Sequence, residues 1–251
     1  MNRTNIEWCD FTWNPVSGCF HPCRNTYCYN TMKATSPMLR FGAQWIDAAG
    51  TKHADRNWKS KENGGCHVAK QGEIYPFGYD PTFYPHRLEE PYKVTAPSKI
   101  FVVDTGDLFG GWVPKAWIEK VLTVIKECDW HTFILLTKNP EGYGTIHYPE
   151  NAWLGTSVNS DADAGRATAM IPVRAAIKYL SIEPLLGQIT FPLDAFDWII
   201  VGAQTGKNAP VPQKSWADKI LREAEKKRIF RFVKSNLRSY YPDLDYKEFP
   251  A

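Results

Sequence analysis

The sequence predicts an α/β protein built on parallel strands, an incomplete TIM-type barrel of about six or seven of them, and three observations predict it. Apolar runs of four to six residues recur from about residue 97 onward, helical patterns separate several of them, and polar or Gly-containing stretches follow the runs. Strands covered on both faces read as continuous Val, Ile, Leu, Phe and Trp rather than as an alternation. Parallel neighbours also need crossover connections, which the helical segments supply.

A first strand is expected around Glu7 to Trp13, just ahead of a cluster of cysteines. Others are expected to begin near Ile100, Thr132, Trp153, Lys178, Trp198 and Ile229. Helices are expected from Pro114 to Cys128 and from Ser215 to Lys227, where apolar residues return three and four apart between charges. Pro114 and Ser215 are residue types that start helices. The connections after Asn159 and Gly187 are shorter and suit loops or single turns. Residues 31–98 keep neither period for long. They mix Lys52, His53, Arg56, Lys59, Lys61, His67 and Lys70 with Trp45, Trp58, Tyr75, Phe77, Tyr79, Phe83 and Tyr84. An irregular insertion between the first and second strands is expected there, serving as lid and substrate wall, within one domain spanning residues 1–251.

With 251 residues, 43% hydrophobic and 23% charged, the chain can bury a core without disulfide or metal staples, which excludes collagenous, coiled-coil and disordered classes. Thirty basic against 27 acidic residues give +3, too mild a balance to define a nucleic-acid scaffold by itself. No apolar run approaches the roughly 18 residues of a membrane span. The opening MNRTNIEWCD lacks the pattern of a signal peptide, so a soluble cytoplasmic protein with no membrane partner is expected.

Six cysteines are too few for a disulfide scaffold, and three of them, Cys19, Cys23 and Cys28, crowd into WNPVSGCFHPCRNTYCYN after the first expected strand. Three thiolates on one loop suit three irons of a [4Fe–4S] cube and leave the fourth iron open for an external ligand. A tetrahedral zinc site is the other reading, with His21, Cys9, Cys66 or His67 as the fourth ligand.

The triplet resembles that of radical S-adenosylmethionine (SAM) enzymes, whose usual spacing is three residues and then two, with an aromatic residue before the third cysteine. Here the first spacing holds, Tyr27 keeps the aromatic place, and the second spacing is four residues. IEWCDFTWNPVSGC, FYPHRLEEP, KIFVVDTGDLFG, FILLTKNPE, NAWLGTSVN, YLSIEPLLG and DWIIVGAQTG follow in order. That series resembles the phage Gp37/Gp68-like (DUF5131) family, a radical SAM group distantly similar to spore photoproduct lyase, over about Ile6 to Lys234. GAQTG stands where that family is expected to carry Gly-Gly-Glu-Ser-Gly.

The resemblance implies a [4Fe–4S] cluster on Cys19, Cys23 and Cys28, bound SAM, and reductive cleavage to a 5′-deoxyadenosyl radical that abstracts hydrogen from substrate. An external one-electron reductant of flavodoxin or ferredoxin type is then required. Asp104, Thr105, Gly106 and Asp107 would meet the methionine ammonium, which an acid with nearby carbonyls suits. Lys138 would pair with the methionine carboxylate, as in the similar lyase. Ser157 and Asn159 carry groups suited to ribose hydroxyls, and equally to a helix cap or Asx turn. Glu183, an acid amid apolar residues, is costly unless paired or bound to something. Gly202 would let backbone approach adenine or methionine. Lys234 faces either substrate or solvent. The basic, aromatic insertion and the likeness to a DNA-acting lyase point to nucleic acid or a nucleotide as substrate, with a peptide or protein and a small metabolite left open by the sequence. Two other classes fit parts of the pattern: a non-catalytic zinc- or cluster-stabilised nucleic-acid-binding module, and a metal-dependent hydrolase using Asp104, Asp107 and Glu183.

Overall fold

The computed structural model describes residues 1–21, 43–46, 51–55, 65–144, 146–206 and 208–251, with backbone alone at 43–46 and 53–55. Its strands are β1 (Asn2–Arg3), β2 (Phe11–Trp13), β3 (Val16–Ser17), β4 (Ala43–Ile46), β5 (Lys52–Asp55), β6 (His67–Val68) and β7 (Thr82–Phe83). They continue as β8 (Lys99–Val102), β9 (Thr132–Thr137), β10 (Ala152–Ser157), β11 (Ile177–Ile182), β12 (Trp198–Val201) and β13 (Phe230–Val233). Eight of them make one mostly parallel sheet in the order β1-β2-β8-β9-β10-β11-β12-β13. The chain divides into two compact units, Met1–Phe133 and Ile134–Ala251.

In the first unit β2 runs parallel to β8, pairing Phe11 with Ile100 and Trp13 with Val102. β1 pairs antiparallel with β2, a strand the sequence reading lacks. Its two residues are exposed and carry no apolar pattern, so pairing alone defines it. Trp13 is fully buried, and its indole N–H donates to the Arg87 carbonyl at 2.7 Å. The helix α1 (Lys115–Glu127) buries Trp117, Ile118, Val121, Val124 and Ile125, the stripe that the periodicity predicts. Each such side chain contributes about 1.5–3 kcal/mol when fully buried.

The insertion is less irregular than its composition implies. β4 and β5 form an antiparallel hairpin, and β3, β7 and β6 form a small sheet in that order. Phe83 and Tyr84 are core residues rather than part of a substrate wall: Phe83 stacks on Trp117 at 5.3 Å, and the Tyr84 hydroxyl lies 3.0 Å from Ser17 Oγ.

In the second unit β10, β11, β12 and β13 are successive parallel neighbours, with Trp153 opposite Ile177, Tyr179 opposite Trp198, and Trp198 opposite Phe230. Trp198 is fully buried against Trp153, Tyr179, Phe232 and Phe249. The connection after Asn159 holds a 3-10 turn (Asp161–Asp163) and one short α-helix, α2 (Ala164–Ala169), and that after Gly187 holds no helix. The helix α3 (Lys214–Lys226) starts one residue before the expected Ser215 and buries Ala217, Ile220, Leu221 and Ala224. Beyond α4 (Ser235–Arg238) the tail returns to β13, where Val233 N–H donates to the Tyr246 carbonyl at 2.8 Å. No described helix is long and apolar enough to cross a membrane.

Candidate functional site

In the first unit, the residues after β2 and β8 are locked together by Asn14. Its side-chain carbonyl accepts from Thr105 N–H at 3.2 Å and Thr105 Oγ1 at 2.9 Å, and its amide donates to Asp104 Oδ1 at 2.5 Å. Arg87 donates to the backbone carbonyls of Asn14 and Ile74, and its guanidinium lies 3.7 Å from the Tyr84 ring centre. Asp107 is buried, and its carboxylate accepts from Phe109 N–H at 3.1 Å, an Asx-type turn.

The same segment clamps the start of the cysteine loop. Gly18 N–H donates to the Thr105 carbonyl at 3.0 Å, and Gly18 and Gly106 form a parallel bridge. Gly18 has φ +82°, and a Cβ there would lie 2.4 Å from the Asp80 carbonyl oxygen. Cys19 follows at once, its Sγ accepting His21 N–H at 3.3 Å. Cys23, Tyr27 and Cys28 lie outside the described residues. Among the described residues no three His, Cys, Asp or Glu side chains converge as metal ligands. Of the residues considered as a zinc ligand, Cys66 donates to the Trp112 carbonyl at 2.9 Å. His67 Nε2 lies 3.2 Å from Asp80 Oδ2, with its ring stacked on Phe77 at 4.0 Å.

Burial pushes the Asp104 carboxyl above its ordinary range, opposed by the donation from Asn14. A raised folded-state pKa stabilises the folded chain fully below the unfolded value of 3.8, and that stabilisation is lost as pH rises through the raised value. Asp104→Asn keeps an acceptor for Asn14, and its melting temperature is expected to gain on wild type between about pH 4 and pH 8. Equal differences at both pH values would show that ionised Asp104 carries no such cost.

In the second unit, Lys138 follows β9 and is half-buried. Ser157 is buried, and Arg166, paired with Asp163 at 2.9 Å, donates to its carbonyl at 3.1 Å. Asn159, only 2% exposed, donates from its backbone to Asp163 and from Nδ2 to the Pro184 carbonyl at 2.7 Å. Its Oδ1 is buried without a donor among the described residues. Such an atom costs about 1–3 kcal/mol, and a ligand hydroxyl or amino group would satisfy it.

Glu183 and Lys234, 51 positions apart, meet here, with Oε1 and Nζ 3.0 Å apart. Gly202 lies under the pair, where a Cβ would come within 2.9 Å of Glu183 Oε1 and 3.2 Å of Asn236 Oδ1. Asn236 bonds both backbone groups of Ala203, at 3.2 and 2.7 Å. Asn14, Arg166 and Asn236 are absent from the sequence reading. Their signal is position alone: Asn14 directly follows β2, and Asn236 stands three residues after the last strand.

An α/β protein is thus defined whose strands β2, β8, β10, β11 and β12 are followed by buried or hydrogen-bonded groups at or near their carboxyl ends. The chain belongs to the family DUF5131, described as proteins of unknown function, whose profile matches residues 3–238. No curated protein and no solved structure matches it.

Proposed function

We propose that this protein is a radical SAM enzyme, holding a [4Fe–4S] cluster on Cys19, Cys23 and Cys28. The observation that carries the reading is the three-cysteine loop, whose first member leaves a glycine clamped between Asp80 and the segment Asp104–Asp107. A bound cluster and SAM together supply one-electron cleavage of a sulfonium and hydrogen abstraction from substrate, and the protein supplies orientation and a dry cavity.

Asp104, held by Asn14, receives the methionine ammonium together with nearby carbonyls, which offsets the burial of its charge. Lys138 receives the methionine carboxylate. Ser157 and the unpartnered Oδ1 of Asn159 take ribose or adenine groups, and Gly202 leaves room for backbone to approach the ligand. Glu183, anchored by Lys234, presents its carboxylate beside Gly202. The architecture of this reading is an incomplete α/β barrel, the compartment is the cytoplasm, and the electron donor is a flavodoxin or ferredoxin. The substrate is a nucleic acid or nucleotide, on the strength of the basic and aromatic insertion.

Anaerobic reconstitution with iron and sulfide is the test, followed by electron paramagnetic resonance of the reduced protein with and without SAM. A [4Fe–4S]⁺ signal that changes on adding SAM is expected. Bound zinc with no cluster would overturn the reading and leave a metal-stabilised binding module.

A further inference from the structure

The ring of Trp112 carries an indole N–H that is closed off from solvent and has no hydrogen-bond partner among the described residues. A buried unmade donor is destabilising, so this one calls for an acceptor that the described residues do not supply. Its ring is held in place. It lies on Gly110, where a Cβ would come within 2.3 Å of the indole, and Phe20 meets it edge-on with centroids 5.8 Å apart. The Trp112 carbonyl accepts from Cys66 Sγ at 2.9 Å, which fixes the backbone beneath. Phe20 directly follows Cys19, whose sulfur already accepts one N–H, from His21. The oriented indole therefore packs against the residue next to the cysteine that opens the triplet.

We propose that Trp112 Nε1 donates a hydrogen bond to a sulfur of the iron–sulfur cluster anchored at Cys19, and so raises the reduction potential of that cluster. The inference rests on the cluster reading above. An electron-rich acceptor fixed in place would satisfy this donor, and cluster sulfide and thiolate sulfur have these properties. One electron from an external reductant takes the cluster from 2+ to 1+ with no proton moved. The added negative charge strengthens an N–H donor to sulfur, so the reduced form gains more than the oxidised form. Phe20 and Gly110 set the direction of that donor before the cluster is reduced.

The experiment compares reconstituted wild type with Trp112→Phe, which keeps a ring against Phe20 and Gly110 and removes the N–H. Redox titration with dithionite, read by electron paramagnetic resonance, is expected to show equal iron content. At a fixed potential near the wild-type midpoint the variant should show a reduced-to-oxidised ratio about tenfold lower, a shift of about 59 mV to lower potential for a one-electron couple. In protein labelled with ¹⁵N-indole tryptophan, a nitrogen coupling to the reduced cluster is expected in wild type and lost in Trp112→Phe. An unchanged midpoint and coupling in a variant that binds its cluster would overturn the proposal and leave the cluster reading standing. Absence of the coupling from loaded wild type would overturn it even where the variant takes up no iron. A wild type that forms no cluster would overturn the cluster reading itself.

Discussion

Replacing Cys19, Cys23 or Cys28 by Ala is expected to abolish cluster colour and reductive cleavage of SAM, while Cys9→Ala, Cys66→Ala and Cys128→Ala retain both. The contrast follows from what each thiol does. Three thiolates that each hold one iron act as a unit, so loss of any one removes the cluster rather than a third of its effect. Cys128 is fully buried at the end of α1, and burial, with Glu127 and Asp129 beside it, pushes its thiol up to about 11. It is a packing residue, and its replacement should cost about 1 kcal/mol of stability with no loss of iron. Cys66 is raised by burial first and by Asp80 second, and its sulfur is engaged with the Trp112 carbonyl. Cys66→Ala should therefore cost stability by the worth of one hydrogen bond, about 1 kcal/mol. Iron per chain and the yield of 5′-deoxyadenosine after reduction measure both arms. Iron retained in all three loop variants and lost in Cys66→Ala would move the metal site onto the insertion.

The elements legible in the sequence are those long enough to show a buried run or an apolar stripe. β10 and β12 are buried at every position, so WLGTS and WIIV could be nothing but covered strands. α1 and α3 show their apolar stripes because the opposite face meets water. β1, β6 and β7 were illegible because they are too short, although both residues of β7 are buried. Two residues have no period, and their strand character comes from partners such as Thr12 and Val16. The aromatics of the insertion misled in one respect, since Phe83 and Tyr84 have the composition of a binding surface and serve as core.

The polar groups divide in the same way. Position after a strand marks Asp104 and Glu183, but no local pattern announces that Lys234 will meet Glu183, because that pairing exists only once β11 and β13 flank β12. Asn14 and Asn236 were missed because a lone Asn after a strand reads as a turn. Their amides instead bridge two backbone segments, which is a tertiary fact.

Gly18→Ala is expected to destabilise the first unit by about 2–5 kcal/mol, of which about 1–2 kcal/mol is the left-handed backbone and the rest is overpacking. The added methyl would lie 2.4 Å and 2.5 Å from the carbonyl oxygen and carbon of Asp80, and 2.6 Å from the Tyr79 carbonyl oxygen. These are backbone atoms, so no side-chain rotation relieves the clash. Asp80 N–H donates to the Phe77 carbonyl, and Thr82, whose Oγ1 donates to the Asp80 carbonyl, pairs with Ser17 in the β3–β7 register. Relief therefore has to open the small sheet or move the loop that begins at Cys19. Gly72→Ala separates the two causes, because Gly72 has φ +84° with nothing within 4 Å of its Cβ position. It should lose only the conformational part, about 1–2 kcal/mol. Denaturation midpoints of the two variants and wild type, measured on the same preparation, give the comparison. A Gly18→Ala midpoint equal to that of Gly72→Ala would mean that the Asp80 backbone yields at little cost, and that the cysteine loop is not held where the clamp places it.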